Sequence, residues 1–415
     1  MIVEIITIGD ELLYGSRVNT NAAYLARQLD GIGLDIRYIS TTGDNMDQLV
    51  EAVNLGLRRA DVVVTTGGLG PTDDDITKKA ICKVFKRNLI FHEDILEDLK
   101  KRFAVRGIKM PAINQNQALL PQGARFLANK TGSALGIIID EQGKFFCAMP
   151  GVPTEMEIMV AEELLPVLKS KTGAAVIVRH VMRTAGIMES ALAEKVKPAL
   201  QFAVGISLAY LPSYRGVDLA IKGSGTIKEE VQAGIKILAD GIRDLVHEYI
   251  FTEDDRDLEQ VVGDLLVERQ KTLAVAESCT GGLLGTRITQ VPGASRYFVG
   301  GVIAYSNEIK ITRLGVPRET VDRFGAVSAE TAASMAVGAA RVLGADIGVA
   351  ITGVAGPTGG SAEKPVGTVF IGLAAGDRET VRKFSMGTDR HIVRERSAAA
   401  ALEMIRRELL GLSNG

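Results

Sequence analysis

Asp61-Val62-Val63-Val64-Thr65-Thr66 runs directly into Gly67-Gly68-Leu69-Gly70-Pro71-Thr72-Asp73-Asp74-Asp75. Five consecutive β-branched residues predict a strand. The glycine-rich turn behind them predicts that its carboxyl end stands close to a ligand or to another backbone. Working outward, Ile2–Ile8 and Asp35–Thr41 read as further strands, and Asn21–Leu29 and Gln48–Arg59 as the helices between them. Alternation of this kind predicts a parallel sheet with helices on both faces. Ile137–Ile139 and Phe145–Met149 predict two more strands, and Thr154-x-x-Glu157 a capping box that opens a helix with Met156, Met159 and Val160 inward.

Ligands of open parallel sheets sit at the carboxyl ends of strands. Three acidic turns converge there: Gly9-Asp10-Glu11, Thr42-Gly43-Asp44 and the Gly67–Asp75 loop. Backbone N–H groups of the loop, at Gly67, Gly68, Gly70 and Thr72, suit a phosphate. The carboxylates would repel it unless a divalent cation stands between. The expected metal ligands are Asp44, Asp75, Asp74 and Glu11, and hard oxygen donors select Mg²⁺ or Mn²⁺. Met149-Pro150-Gly151-Val152-Pro153, before a helix, offers a further anion cradle at Gly151.

The rest of the chain divides in two. Residues 174–252 read as a small α+β unit, with strands near Ala175–Arg183, Ile206–Leu211 and Val217–Lys222 and helices near Glu189–Val196 and Ile227–Leu245. Residues 255–413 alternate again: helix Leu258–Glu268, strand Leu273–Val275, helix Leu283–Thr289, strand Val299–Tyr305, a helix Ala329–Leu343 capped by Ser328, strands Ile347–Ile351, Thr368–Leu373 and Val381–Phe384, and a last helix from about Ile392 to Leu410. The expected fold class is α/β: two three-layer α/β domains with largely parallel sheets (1–170 and 255–413), joined by the small α+β domain.

The last third carries the second group of motifs: Ala276-Glu277-Ser278-Cys279-Thr280-Gly281-Gly282, Pro292-Gly293-Ala294-Ser295 and Tyr305-Ser306-Asn307-Glu308-Ile309-Lys310. A serine needs a base before it can attack a carbonyl. No histidine lies among these motifs, so Lys310 is the expected base and Tyr305 a possible relay, the pattern of a Ser–Lys hydrolase. Ser278 and Ser295 both qualify as nucleophile on residue type. The N–H groups of Thr280, Gly281 and Gly282, at a helix start, suit an oxyanion or a phosphate. Asn307 is an expected substrate-binding residue, and the plainer reading has it cap the helix that carries Lys310. Gly353, Gly356, Gly359 and Gly360, in a strand-to-strand link, fit close approach to a ribose or phosphate, and Arg390 and Arg394 could clamp a phosphate.

Bulk composition excludes several classes. The 415 residues carry a net charge of -2, with 24% charged and 5% aromatic residues and no Trp, which argues against nucleic acid as a partner. Mean hydropathy is +0.16, yet no stretch approaches the length of a membrane span. Three isolated cysteines and an N-terminus without a basic leader point to a reducing cytoplasm. The middle unit has no basic G-x-x-G loop, so a spacer or dimerisation role is expected there, and a homodimer overall.

The first region resembles the molybdopterin-binding fold of molybdenum-cofactor biosynthesis proteins. Near end to end, the chain resembles the competence/damage-inducible protein A (CinA) family, on Gly9–Leu12, Gly67–Asp75, Met149–Pro153, Ala276–Gly282, Pro292–Ser295, Tyr305–Lys310 and Gly353–Gly360. The resemblance implies a metal-dependent ADP-ribose pyrophosphatase at the front, with aspartates at Asp44 and Asp75. It implies a KH-like middle domain and a cofactor-free nicotinamide mononucleotide (NMN) deamidase at the back. The family pattern keeps both serines with Tyr305 and Lys310; the expected nucleophile is Ser295, activated by Lys310 and Tyr305, with Ser278 close by. Leu69 stands where the cofactor proteins have Thr, which weakens the case for a pterin. A pterin-binding transferase and a non-catalytic competence or DNA-damage partner are the alternatives.

Overall fold

The computed structural model describes residues 1–72, 74–171, 176–202 and 205–414; Asp73 and Ala175 of the motifs above lie outside the described residues. The chain forms two compact units, Met1–Ile177 with Ser224–Val231, and Val178–Gly223 with Gln232–Gly415.

The first unit is built on a six-stranded sheet. Its strands are β1 (Ile2–Ile8), β2 (Asp35–Thr42), β3 (Val62–Thr66), β4 (Arg125–Leu127), β5 (Gly136–Glu141) and β6 (Lys144–Met149), in the order β2-β1-β3-β6-β5-β4. The β2-β1-β3-β6 half is parallel and the β6-β5-β4 half antiparallel. The switch comes from Gln142 and Gly143, both at positive φ, which close a two-residue hairpin between β5 and β6. Helices α1 (Thr20–Gly31) and α2 (Met46–Arg59) start on Asn19 and Asn45, whose side chains accept from Ala22 N–H and from Asp47 and Gln48 N–H. One apolar cluster joins α1 and the Pro153–Lys169 segment to one face of the sheet, and a second joins α2 and α3 (Thr77–Phe85) to the other. This is the expected three-layer domain. The expected capping box is absent: the helix begins at Pro153, after Val152, and Thr154 makes no cap. Proline at the first helical position supplies the start instead.

The middle part of the chain contributes β7 (Val176–Thr184), β8 (Ile206–Pro212), β9 (Val217–Gly225) and β10 (Ile250–Thr252), ordered β8-β9-β7-β10, with α4 (Glu189–Val196) and α5 (Lys228–Val246). It is the small α+β unit expected.

The C-terminal part has a five-stranded sheet of β11 (Leu273–Glu277), β12 (Phe298–Ile303), β13 (Ile347–Gly353), β14 (Thr368–Ala375) and β15 (Arg378–Ser385), ordered β12-β11-β13-β14-β15. Only β12-β11-β13 are parallel; β14 and β15 run antiparallel, so the sheet is mixed rather than largely parallel. The glycine- and proline-rich link from β13 to β14 forms no helix, and β14 turns tightly into β15, so neither connection makes a crossover. Helices α6 (Leu258–Glu268), α7 (Leu283–Thr289) and α10 (Arg390–Leu409) share one apolar cluster. On the other face lie α8 (Asn307–Leu314) and the alanine-rich α9 (Ala329–Leu343), capped by Ser328 as expected. A Cβ at Gly348 or Gly372 would strike the carbonyls of Ala336 or Ala332. The alanines and these glycines together let α9 lie unusually close to the sheet.

Candidate functional site

The parallel strands β11 and β13 end side by side, with Glu277 opposite Ile351. Ser278 follows β11 directly, fastened by its N–H to Ile351 C=O at 2.9 Å. Lys310 lies one turn into α8, whose N-cap is Ser306, accepting from Ile309 N–H at 3.3 Å. Asn307 is therefore the first helical residue and not the cap expected for it.

The Lys310 side chain turns inward and is 1% exposed. Its Nζ lies 3.1 Å from Ser278 Oγ and 2.7 Å from Ala304 C=O. Among the described residues no carboxylate pairs with it. Burial pushes its pKa below the ordinary lysine value, with the nearby Cys279 opposing weakly. A buried amine without a counter-ion, in contact with a serine hydroxyl, has the geometry and the electrostatics of a general base.

Ser295 does not share this place. It sits in a short 3-10 turn (Ala294–Arg296) ahead of β12. β12 pairs with β11 from Phe298 opposite Leu273 to Ile303 opposite Glu277. That strand, roughly 17 Å long at the rise of a β-strand, lies between Ser295 and Ala304, whose carbonyl holds Lys310. The expectation that Lys310 and Tyr305 activate Ser295 is corrected: they lie at opposite ends of the sheet, and the serine beside Lys310 is Ser278.

Tyr305 is 63% exposed, and its hydroxyl lies 3.2 Å from Arg390 Nη2, not on Lys310. Arg390 Nη1 also donates to Gly356 C=O at 2.9 Å. Tyr305, Asn307, Arg390 and Gly353 line one cleft of about 240 Å³ with Ser278 and Lys310. Thr352, unassigned in the sequence, joins them, its hydroxyl donating to Ala326 C=O at 2.7 Å. Cys279 also lines the cleft; burial pushes its thiol up to about 11, so it is not a thiolate at neutral pH.

Two expected anion sites are already filled. Gly282 N–H donates at 3.0 Å to the carboxylate of Glu277, as do Leu284 at 3.1 Å and Gly285 at 2.8 Å. The start of α7 thus holds an internal carboxylate. Gly281 N–H donates to Ser278 C=O at 3.2 Å. Arg394 grips Thr280 C=O through Nε and Nη2, at 3.1 and 2.8 Å, so it fastens the Ser278 loop and does not face the cleft. Gly359 and Gly360 stay outside the cleft as well; a Cβ at Gly356 or Gly360 would strike Val366, so these glycines pack the link on itself. The role of Glu277 escaped sequence reading. The signal was there: an acid at a strand end, five residues before a Gly-started helix.

In the first unit the acidic turns do meet. Asp44 Oδ2 accepts from Asp10 N–H at 3.1 Å, and Asp10 Oδ1 from Asp44 N–H at 3.3 Å. Burial first, then the charges of Asp10, Glu11 and Asp74, raise the Asp44 pKa. Asp75 instead turns back to accept from Thr72 N–H and hydroxyl, at 2.9 and 2.5 Å, and fills the space beside Gly70. Gly67 and Gly68, both at positive φ, press against Ile8 C=O and the Thr77 hydroxyl. Gly151 packs against Gly67, and its carbonyl accepts from Asn21 Nδ2 at 2.8 Å. Among the described residues no three carboxylates are set to ligate one ion. Lys78, which sequence reading left unassigned, is buried beside Asp75, held by Asn116 C=O and Gln117 Oε1 at 2.8 and 2.9 Å, its pKa lowered by burial to about 8.

Family models match the chain from end to end: "Probable molybdopterin binding domain" over residues 4–170, "Damage-inducible protein CinA KH domain" over 179–252 and "CinA C-terminal domain" over 255–409. A CinA-like protein of Kosmotoga olearia is 42% identical over 99% of this chain and 100% of its own length. This chain belongs to the CinA family. A CinA-like protein of Gemmatimonas aurantiaca is 43% identical over 98% of this chain and 96% of its own. The crystal structure of a CinA protein of Thermoplasma acidophilum shares 34% identity over 40% of this chain and 97% of that one, with a TM-score of 0.38. Among the described residues no helix is long and apolar enough to cross a membrane.

Proposed function

We propose that the C-terminal domain is an amidohydrolase that opens the carboxamide of NMN to nicotinate mononucleotide and ammonia. The contact between Lys310 Nζ and Ser278 Oγ, buried and without a counter-ion, carries this reading. Neutral Lys310 takes the hydroxyl proton as Ser278 Oγ bonds to the carboxamide carbon. The same proton passes to the departing nitrogen, which leaves as ammonia. Water then attacks the ester, giving one proton to Lys310 and returning it to Ser278 Oγ as the acid is released. Gly282 N–H is taken by Glu277 and Gly281 N–H by Ser278 C=O, so of this loop the N–H of Cys279, which lines the cleft, is the donor the scheme leaves for the oxyanion. Arg390, with Tyr305 and Asn307 at the rim, receives the phosphate. No cofactor enters this scheme.

The deciding experiment measures ammonia release from NMN by purified variants. Ser278→Ala and Lys310→Ala each lose at least about a thousandfold in kcat, while Ser295→Ala keeps wild-type turnover. Loss in Ser295→Ala with retention in Ser278→Ala would overturn the assignment.

For the N-terminal domain we propose a metal-assisted ADP-ribose pyrophosphatase. Asp44 and Asp10, clasped to each other's N–H groups across two strand ends, support it: burial first and neighbouring carboxylates next raise the Asp44 pKa, and a divalent cation offsets both. Mg²⁺ is commonly held by one or two carboxylates, with water and substrate phosphate completing its shell. Asp44 and Asp10 suit the protein's share, with Glu11 and Asp74 nearby. Such an ion neutralises charge on the leaving phosphate. Asp75, on Thr72 and Gly70, shapes the glycine loop.

A further inference from the structure

A second cleft, of about 490 Å³, lies between the β8–β9 hairpin, the loop after β7, the end of β15 and the middle of α10. No residue lines both it and the Ser278 cleft. Its volume falls in the range of small-molecule sites. One part of its lining is apolar: Phe384 and Met386 from β15 and its end, Ala400 from α10, and Ile187 from the loop. The other part carries the guanidinium groups of Arg382 and Arg396.

Neither of those arginines has a carboxylate partner among the described residues. Arg382 lies over the Phe384 ring at 5.0 Å, and Arg396 donates one N–H to Met386 C=O at 3.1 Å. The remaining donors of both have no protein acceptor. Of the two carboxylates in the lining, Glu403 is committed to Arg406 at 2.7 Å, which leaves Glu189 alone against two cations. Arg215, also in the lining, is drawn towards Asp257 and Glu259 at 3.8 Å. The hairpin tip adds Tyr214 to the lining, its ring meeting the His391 ring edge-on at 6.1 Å. An aromatic and thioether floor under two free guanidinium groups selects a ligand with a flat apolar body and a compact dianion.

We propose that this cleft is a binding site for a small aromatic phosphate of the nucleoside monophosphate class. The aromatic body lies on Phe384 and Met386, and Arg382 and Arg396 hold the phosphate.

Hydrogen–deuterium exchange of the full chain with adenosine 5′-monophosphate at millimolar concentration tests this. The ligand is expected to slow exchange in 212–217, 382–386 and 396–403. In Arg382→Ala/Arg396→Ala that protection is lost, with apparent binding at least about tenfold weaker, while ammonia release from NMN stays at the wild-type rate. Arg382→Glu alone, which keeps the Arg396–Met386 bond, loses the protection too. The proposal is overturned if these segments are unprotected in the wild type, if the variants keep the protection, or if protection in the second unit is confined to the 278–310 region. Protection near the acidic turns of the first unit has no bearing on it, since the readout is local.

Discussion

In the proposed amidohydrolase, Lys310 sets the response to pH. Its amine must be neutral to accept the serine proton, and burial lowers its pKa from the ordinary 10.5. The activity therefore rises with pH through that lowered value. A plot of kcat/KM against pH is expected to show one ascending limb with a midpoint below 10.5, and Lys310→Arg should remove activity at every pH. Linkage gives the matching sign for stability. Between the folded and unfolded pKa values the unfolded chain binds more protons, so this residue's contribution to stability grows as pH rises. The types of the reacting groups were legible in the sequence, because a serine without histidine leaves lysine as the base. Which serine was not. Ser278 and Ser295 both stand in polar turns, one after a strand and one before, and only the parallel pairing of β11 and β12 puts those turns at opposite ends of the sheet.

At the level of elements, the Ser278 loop is held from two sides. Glu277 takes three N–H groups at the start of α7, and Arg394 takes the carbonyl of Thr280. A helix start stabilises a carboxylate, and a buried one with three donors is worth more than an exposed cap. Removing it strands those donors. Glu277→Ala is expected to lower kcat at least about tenfold with a smaller change in KM, since the nucleophile is displaced but the Arg390 rim is untouched. Glu277→Gln, which can still accept, should recover part of the loss; equal damage in both variants would exclude this positioning role. Strand and helix periods revealed these elements well. Their ends were less legible, because capping competes locally: Ser306 displaced Asn307, and Pro153 displaced Thr154.

For the whole molecule, the proposed chemistry of each unit rests on its own residues. Three acidic turns on one sheet edge could be read from strand–turn alternation, and they do converge, but the rotation of Asp75 onto Thr72 is a local bond that spacing cannot reveal. Relief of the repulsion at Asp44 should be measurable apart from catalysis. Millimolar Mg²⁺ is expected to raise the melting temperature of the transition assigned to the first unit, by roughly 2–4 °C for each kcal/mol of binding. Asp44→Asn should shrink that shift and leave ammonia release unchanged. An equal shift in wild type and variant would remove the cation from the proposal. The mixed C-terminal sheet was the main surprise of topology, and it goes with a link whose glycines and prolines form no crossover helix.

The company Lys310 keeps, one hydroxyl and one carbonyl, has a kinetic corollary. No carboxylate partner has to be released or captured as its proton comes and goes, and its side chain is buried. Dissolved electrolyte therefore has little purchase on the turnover step. It acts at the rim, where the guanidinium of Arg390 stands in solvent and draws in a charged nucleotide, so added salt slows capture and spares the chemistry.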